Sequence, residues 1–191
     1  CDDVSAWVKT NVDESLARLK VPYLSGLLPH RPGQLLGKNG QEIYQALLQL
    51  KDAGKVGKIG VSIYDPSELN NLCAQYMLDL VQAPFNVFDR RLATTGWLYR
   101  LHGEGVEIHV RSVFLQGLLL VETESSPVGF EEWEYLWALW KSWIVNLDSN
   151  PLQAALGHVM SYPEITKIVV GVDSLKQLNE ILLCDRFQKI R

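Results

Sequence analysis

Four apolar, strand-like runs in this 191-residue chain end in residues able to do chemistry. Tyr23 to Leu28 leads into Pro29-His30, Lys58 to Ile63 carries Ser62, Leu78 to Ala83 carries Gln82, and Ile165 to Val172 leads into Asp173-Ser174. A histidine at the end of a strand can give or take a proton near neutral pH. Two readings of His30 stand at this point: a site residue, or a loop histidine satisfied by hydrogen bonds. Tyr64, just beyond Ser62, has no lysine or acid evidently placed to lower its hydroxyl pKa from about 10. It reads as an aromatic of the loop that follows the strand.

Several chemistries are set aside by spacing and composition. His30, His102, His109 and His158 form no i, i+4 pair, so no metal site is expected. Gly60-Val61-Ser62-Ile63-Tyr64 lacks the second glycine of a nucleophile elbow, and no P-loop or strand-following G-x-G-x-x-G occurs. The formal charge of -4 is spread among dispersed acids and bases, which gives no footprint for nucleic acid. No apolar stretch approaches the roughly 18 residues needed to span a bilayer, and the first residues carry no secretory signal pattern. A cytoplasmic protein without a membrane partner is the expectation. Cys1, Cys73 and Cys184 are odd in number and widely spaced, so reduced thiols are expected instead of a disulfide framework.

With 47% hydrophobic and 21% charged residues, the chain has enough apolar mass for a single cored domain over 1-191. Val4, Val8, Val12, Leu16 and Leu19 predict a first helix, with Asp2-Asp3 at the positive end of its dipole. Ile43, Leu47, Leu50 and Ala53 predict a second, stopped by Gly54. Pro66 is read as the first-turn proline of a helix carrying Leu69, Leu72 and Cys73. Thr95 to His102, Phe130 to Val145, Pro151 to Met160 and Ser174 to Leu183 are read as further helices, and Val106 to Val113 as a strand. Trp133, Trp137, Trp140 and Trp143 fall mostly on one side of the Phe130 to Val145 helix, predicting buried aromatics. Glu131, Glu132 and Glu134 read as a solvated face. Five strands alternating with helices imply parallel pairing through right-handed crossovers, hence α/β architecture.

The order of these segments resembles the later part of the aldo-keto reductase family. The resemblance rests on Glu14-Ser15-Leu16-Ala17-Arg18-Leu19 before a strand ending Leu28-Pro29-His30, and on the run Gly54 to Ser62. It continues through Val81-Gln82-Ala83-Pro84-Phe85-Asn86-Val87, Ser112-Val113-Phe114-Leu115-Gln116-Gly117-Leu118-Leu119 and Gly171 to Gln177. It implies a (β/α)8 barrel of that type, with the first three βα units outside this stretch. It also implies NAD(P)H-dependent reduction of aldehydes or ketones, with His30 orienting the carbonyl. The family's catalytic Tyr, Asp and Lys would lie upstream of Cys1, so the stretch alone is not expected to reduce carbonyls.

By the same resemblance, Ser62 and Gln82 match positions that bond the nicotinamide carboxamide, although Ile63 stands where the family often has Asn. Arg111 stands where an aromatic often stacks on the nicotinamide; a stacked guanidinium and a structural ion pair are both open readings. Ser112, Leu115 and Gly117 match the loop beside the pyrophosphate, where glycine permits close approach. Gly171, Asp173, Ser174 and Gln177 match the adenosine end, with Glu180 bordering it. Asp173 replaces a basic residue, which points to tolerance of NAD beside NADP. The alternative is a catalytically silent protein that keeps the cofactor pocket as a sensor or partner-binding module. Open strand edges of a partial barrel would favour self-association.

Overall fold

The computed structural model describes residues 3–121 and 129–184. Cys1 and Asp2 therefore lie outside the described residues. The elements follow in the order α1 (Val4–Leu19), β1 (Leu24–Leu27), α2 (Gly33–Leu36), α3 (Gly40–Asp52), β2 (Val56–Ser62), α4 (Glu68–Gln75), β3 (Leu80–Pro84), α5 (Arg91–Thr94), α6 (Trp97–Gly103), β4 (Glu107–Arg111), α7 (Glu134–Asn146), α8 (Pro151–Met160), β5 (Lys167–Ile168) and α9 (Leu175–Cys184). The strands form one sheet in the order β1-β2-β3-β4-β5. Pairing is parallel between β1 and β2 and between β2 and β3, as strand-helix alternation predicts. The chain divides into two compact units, residues 3–84 with 91–109, and residues 85–90 with 110–121 and 129–184.

In the first unit, α1 starts at Asp3, whose carboxylate accepts from the Ala6 N–H at 2.8 Å, a side-chain cap for a backbone donor that the helix leaves unpaired. Val8 and Val12 of α1 then pack with Ala46, Leu47 and Leu50 of α3 and with Val56 and Ile59 of β2. Gly54 takes a φ of +70° just after α3, the left-handed stop that its sequence position predicts. Pro66 departs from expectation. It lies two residues before α4, in a turn where Leu69 N–H bonds the Pro66 carbonyl, because Asp65, Ser67 and Glu68 build the helix start. The Thr95 to His102 helix also begins late, at Trp97, since Gly96 adopts a φ of +82° and separates it from α5.

In the second unit the Trp-rich helix is shorter than read from sequence. A 3-10 turn over Glu131–Trp133 precedes α7, and Trp133 at its end is 52% exposed. Trp137 and Trp140 are buried with Leu119, Ala154 and Ala155. The α8 start is a capping box: Asn150 accepts from Gln153 N–H while the Gln153 side chain accepts from Asn150 N–H, with Pro151 at the first turn. The last strand keeps only Lys167–Ile168 of the expected Ile165 to Val172. It ladders against β4, and Val169 N–H just past its end donates to the Val110 carbonyl.

His158 of α8 lies among rings, stacked on Phe85 at 5.9 Å and edge-on to Tyr162 at 5.5 Å and Trp143 at 6.4 Å. Its Nε2 is buried and meets no hydrogen-bond partner among the described residues. Burial first, and the Arg90 charge second, push its pKa down to about 4 from the ordinary 6.5. Between those values the unfolded chain binds the extra proton, so stability is full above pH 6.5 and falls as pH drops towards 4. After allowance for partial exposure the loss is about 2 kcal/mol. Urea midpoints at pH 7 and pH 5 should differ in wild type, and His158→Phe should flatten that difference.

Candidate functional site

The first unit gathers four residues at the carboxyl ends of β1, β2 and β3, the edge of a parallel sheet where ligands bind. Ser62 and Gln82 are register partners across β2 and β3. Register makes them neighbours, and the Ser62 hydroxyl lies 3.3 Å from Gln82 Oε1, donating to it. Ser62 is 2% exposed and Gln82 half-buried. The Ser62 backbone N–H donates to the Pro29 carbonyl at 3.1 Å, and Ile63 N–H donates to the Gln82 carbonyl at 2.8 Å, so β1, β2 and β3 are tied together at this end. Gln82 keeps both Nε2 hydrogens and a second Oε1 lone pair in its bonding capacity, the complement of a primary amide.

His30 is exposed, just past β1, and its Nε2 lies 3.3 Å from the Tyr64 hydroxyl. The rings meet edge-on at 6.3 Å. The sequence reading placed Tyr64 in the loop and gave it no partner; the structure brings it to His30. Its backbone is held from both sides: Tyr64 N–H donates to Glu68 Oε2 at 2.8 Å, and Arg91 donates to the Tyr64 carbonyl. Arg91 also pairs with Asp65 at 2.5 Å. Bonds from the Ser67 side chain and backbone, and then the Arg91 charge, hold the Asp65 carboxyl below its ordinary pKa.

The second unit contains a groove of about 1120 Å³. Six of the residues singled out in the sequence line it: Arg111, Ser112, Gly117, Gly171, Asp173 and Gln177. Glu180 lines it as well. Leu115 and Ser174 do not. Leu115 packs against the Trp137 and Trp140 cluster, and Ser174 accepts from Gln177 N–H at 3.2 Å at the start of α9. The Gln177 side chain in turn accepts from Asp173 N–H at 2.7 Å, so the turn entering α9 is stapled by its own residues.

The loop after β4 is backbone-strained. Ser112, Leu115, Gln116 and Gly117 have φ values of 60°, 48°, 57° and 88°. Left-handed backbone is unfavourable for all but glycine, so three of these positions are strained and need outside support. Asn86 supplies it. The side chain is 1% exposed, its Nδ2 donates to the Ser112 carbonyl at 3.0 Å, and its Oδ1 accepts from Phe88 and Asp89 N–H. Sequence reading passed over Asn86. A polar residue closing an apolar run is its only local signal. Arg111 donates to the Ser112 hydroxyl at 3.3 Å, within the same loop.

Among the described residues no group of three or more His, Cys, Asp or Glu could hold a metal ion, and no helix is long and apolar enough to cross a membrane.

The sequence profile of the Aldo/keto reductase family matches residues 2–188. Among curated proteins, the chain is 23% identical over 188 residues to Uncharacterized oxidoreductase YqkF of Bacillus subtilis (strain 168), covering 94% of this chain and 60% of that protein. It is 31% identical over 87 residues to Aldo-keto reductase YhdN of the same organism, covering 46% and 26%. Among solved structures, aldo-keto reductase AKR11C1 from Bacillus halodurans (holo form) superposes with a TM-score of 0.83 at 20% identity, over 100% of this chain and 65% of that one. The glycerol dehydrogenase AKR11B4 from Gluconobacter oxydans gives 0.67 at 17% identity, over 95% and 63%. These structural likenesses establish a shared α/β fold with a parallel sheet. The chain spans about three-fifths of the length of the first relatives it matches.

Proposed function

The chain belongs to the aldo/keto reductase family, and on that premise we propose that it carries the nicotinamide-dinucleotide side of an oxidoreductase that interconverts carbonyl compounds and alcohols. The observation that carries this reading is the groove of the second unit, where Arg111, Ser112, Gly117, Gly171, Asp173 and Gln177 converge. When bound, a reduced nicotinamide supplies the hydride for a carbonyl carbon.

The donor set fits such a group. A Cβ added at Gly117 or Gly171 would meet no atom within 4 Å, so both backbones stand open to a ligand's approach. Arg111 offers a planar guanidinium able to stack on the nicotinamide, and the Ser112 hydroxyl adds a donor beside it. Asp173 and Glu180 are acceptors for ribose hydroxyls. In the first unit, Ser62 and Gln82 offer the donors and acceptors that a carboxamide needs. His30 offers a ring donor to a carbonyl oxygen, where negative charge gathers during reduction. The carbonyl compound is a small molecule, and the reading needs neither nucleic acid nor membrane.

Titrating the chain with NADH and following tryptophan-to-nicotinamide energy transfer tests the assignment. Saturable binding is expected, and Arg111→Ala should weaken it about tenfold through loss of the stacked guanidinium. Absence of binding at millimolar nucleotide would overturn it. Nucleotide oxidation on adding an aldehyde would mark an enzyme, whereas binding alone fits an enzyme and a nucleotide sensor alike.

A further inference from the structure

We propose that Asn86 is a positioning residue for the dinucleotide: its side-chain amide holds the loop after β4 in the shape that presents Arg111 and Ser112 to the groove of the second unit. The inference rests on the reading of that groove as the nucleotide site, and its geometry stands on separate observations. Asn86 is 1% exposed and is not among the residues that line the groove, so its effect on a ligand passes through the loop. Two consecutive residues hold two consecutive carbonyls: Phe85 N–H donates to that of Arg111 at 3.0 Å, and Asn86 Nδ2 donates to that of Ser112 at 3.0 Å. The second bond falls where the chain leaves β4 and turns left-handed, with Ser112 at a φ of 60°.

The orientation of the amide is fixed by its own turn. Oδ1 accepts from Phe88 N–H at 2.9 Å and from Asp89 N–H at 2.8 Å, and Asn86 N–H donates to the Asp89 carbonyl at 3.0 Å. With two donors at one end of the amide, the NH2 end is the one that faces Ser112, whose carbonyl needs a donor. Left-handed backbone is unfavourable for serine, and the bond from Asn86 offsets a strain that would otherwise let the loop relax. A relaxed loop carries Arg111 and Ser112 away from the positions in which they line the groove, and a ligand must then restore them at the expense of its own affinity.

NADH titrations of four whole-chain proteins test this: wild type, Asn86→Asp, Ser112→Gly and the double variant. Asn86→Asp keeps the oxygen that accepts from Phe88 and Asp89, but loses the donor and sets a carboxylate against the Ser112 carbonyl. Affinity should fall about tenfold, of which about fivefold corresponds to one hydrogen bond and the rest to the repulsion. Ser112→Gly forfeits a groove hydroxyl, so each loss is read within its own background, but glycine takes up left-handed backbone without strain. In that background Asn86→Asp should cost no more than about twofold, because the support is no longer needed. Equal losses in both backgrounds would mark a merely structural Asn86 and overturn the proposal. Should Asn86→Asp alone misfold, the double variant decides: affinity within about twofold of Ser112→Gly upholds the proposal, and weaker binding overturns it. Absence of binding in wild type removes the nucleotide reading and this proposal with it, whereas wild-type binding with no loss in Asn86→Asp removes this proposal alone.

Discussion

Replacing Asp173 with arginine is expected to reverse the nucleotide preference of the chain. Asp173 lines the groove of the second unit beside Gln177 and Glu180, and two carboxylates at that end make it acidic. A 2′-phosphate placed there meets like charge. At about 6 Å and an effective dielectric of about 40, one charge pair is worth about 1.4 kcal/mol, or tenfold in affinity. Wild type should therefore bind NADH at least about tenfold tighter than NADPH. Asp173→Arg removes the repulsion and supplies an attraction, so the ratio of dissociation constants should move about a hundredfold in favour of NADPH. The Asp173 N–H to Gln177 Oε1 bond is made by backbone and survives the change. Added salt should shrink both preferences. Calorimetric titrations of both nucleotides on both proteins give the ratio, and equal ratios in wild type and variant would remove Asp173 from the site.

A large stability effect is expected at Gly60→Ala. Gly60 sits in the middle of β2, register partner of Leu80 in β3. A Cβ there would lie 1.8 Å from the Leu80 carbonyl oxygen and 2.6 Å from its carbon, and both are backbone atoms with no rotamer to yield. The strands must separate, taking with them the packing of Ile59, Val61 and Val81, all buried. We expect a loss of about 3 kcal/mol or more, a large share of the 5–15 kcal/mol that ordinarily holds a domain together. Ser62 and Gln82, two residues further along the same ladder, should lose their side-chain bond together with that stability. Gly33→Ala is the control, because a Cβ there meets nothing within 4 Å. Urea melts should show a large fall in midpoint for the first variant and a change within about 0.5 kcal/mol for the second.

Much of the secondary structure was legible because it is locally encoded. The α1 stripe from Val4 to Leu19 and the Pro151 start of α8 coincide with the helices observed, and Gly54 stops α3 where a left-handed residue is needed. The misses share a cause. Gly96 splitting α5 from α6, the 3-10 entry to α7 with Trp133 exposed at its end, and the clipping of β5 to two residues all depend on what a segment meets in space. Apolar periodicity cannot report that. α2 was passed over because a four-residue helix is too short to show a period.

The sequence by itself determined the α/β order, the presence of His30, Ser62, Gln82 and Asp173 at strand-like ends, and the family. Spacing of apolar residues, caps and motif order act within a few residues of one another, so a linear string carries them. Only the tertiary structure decided that Tyr64 meets His30 across 34 positions, that Asn86 supports the strained backbone at Ser112 across 26, and that Gly60 faces the Leu80 carbonyl. Those partnerships follow from strand register and loop closure, where a shift of one residue changes every neighbour. No local propensity specifies them.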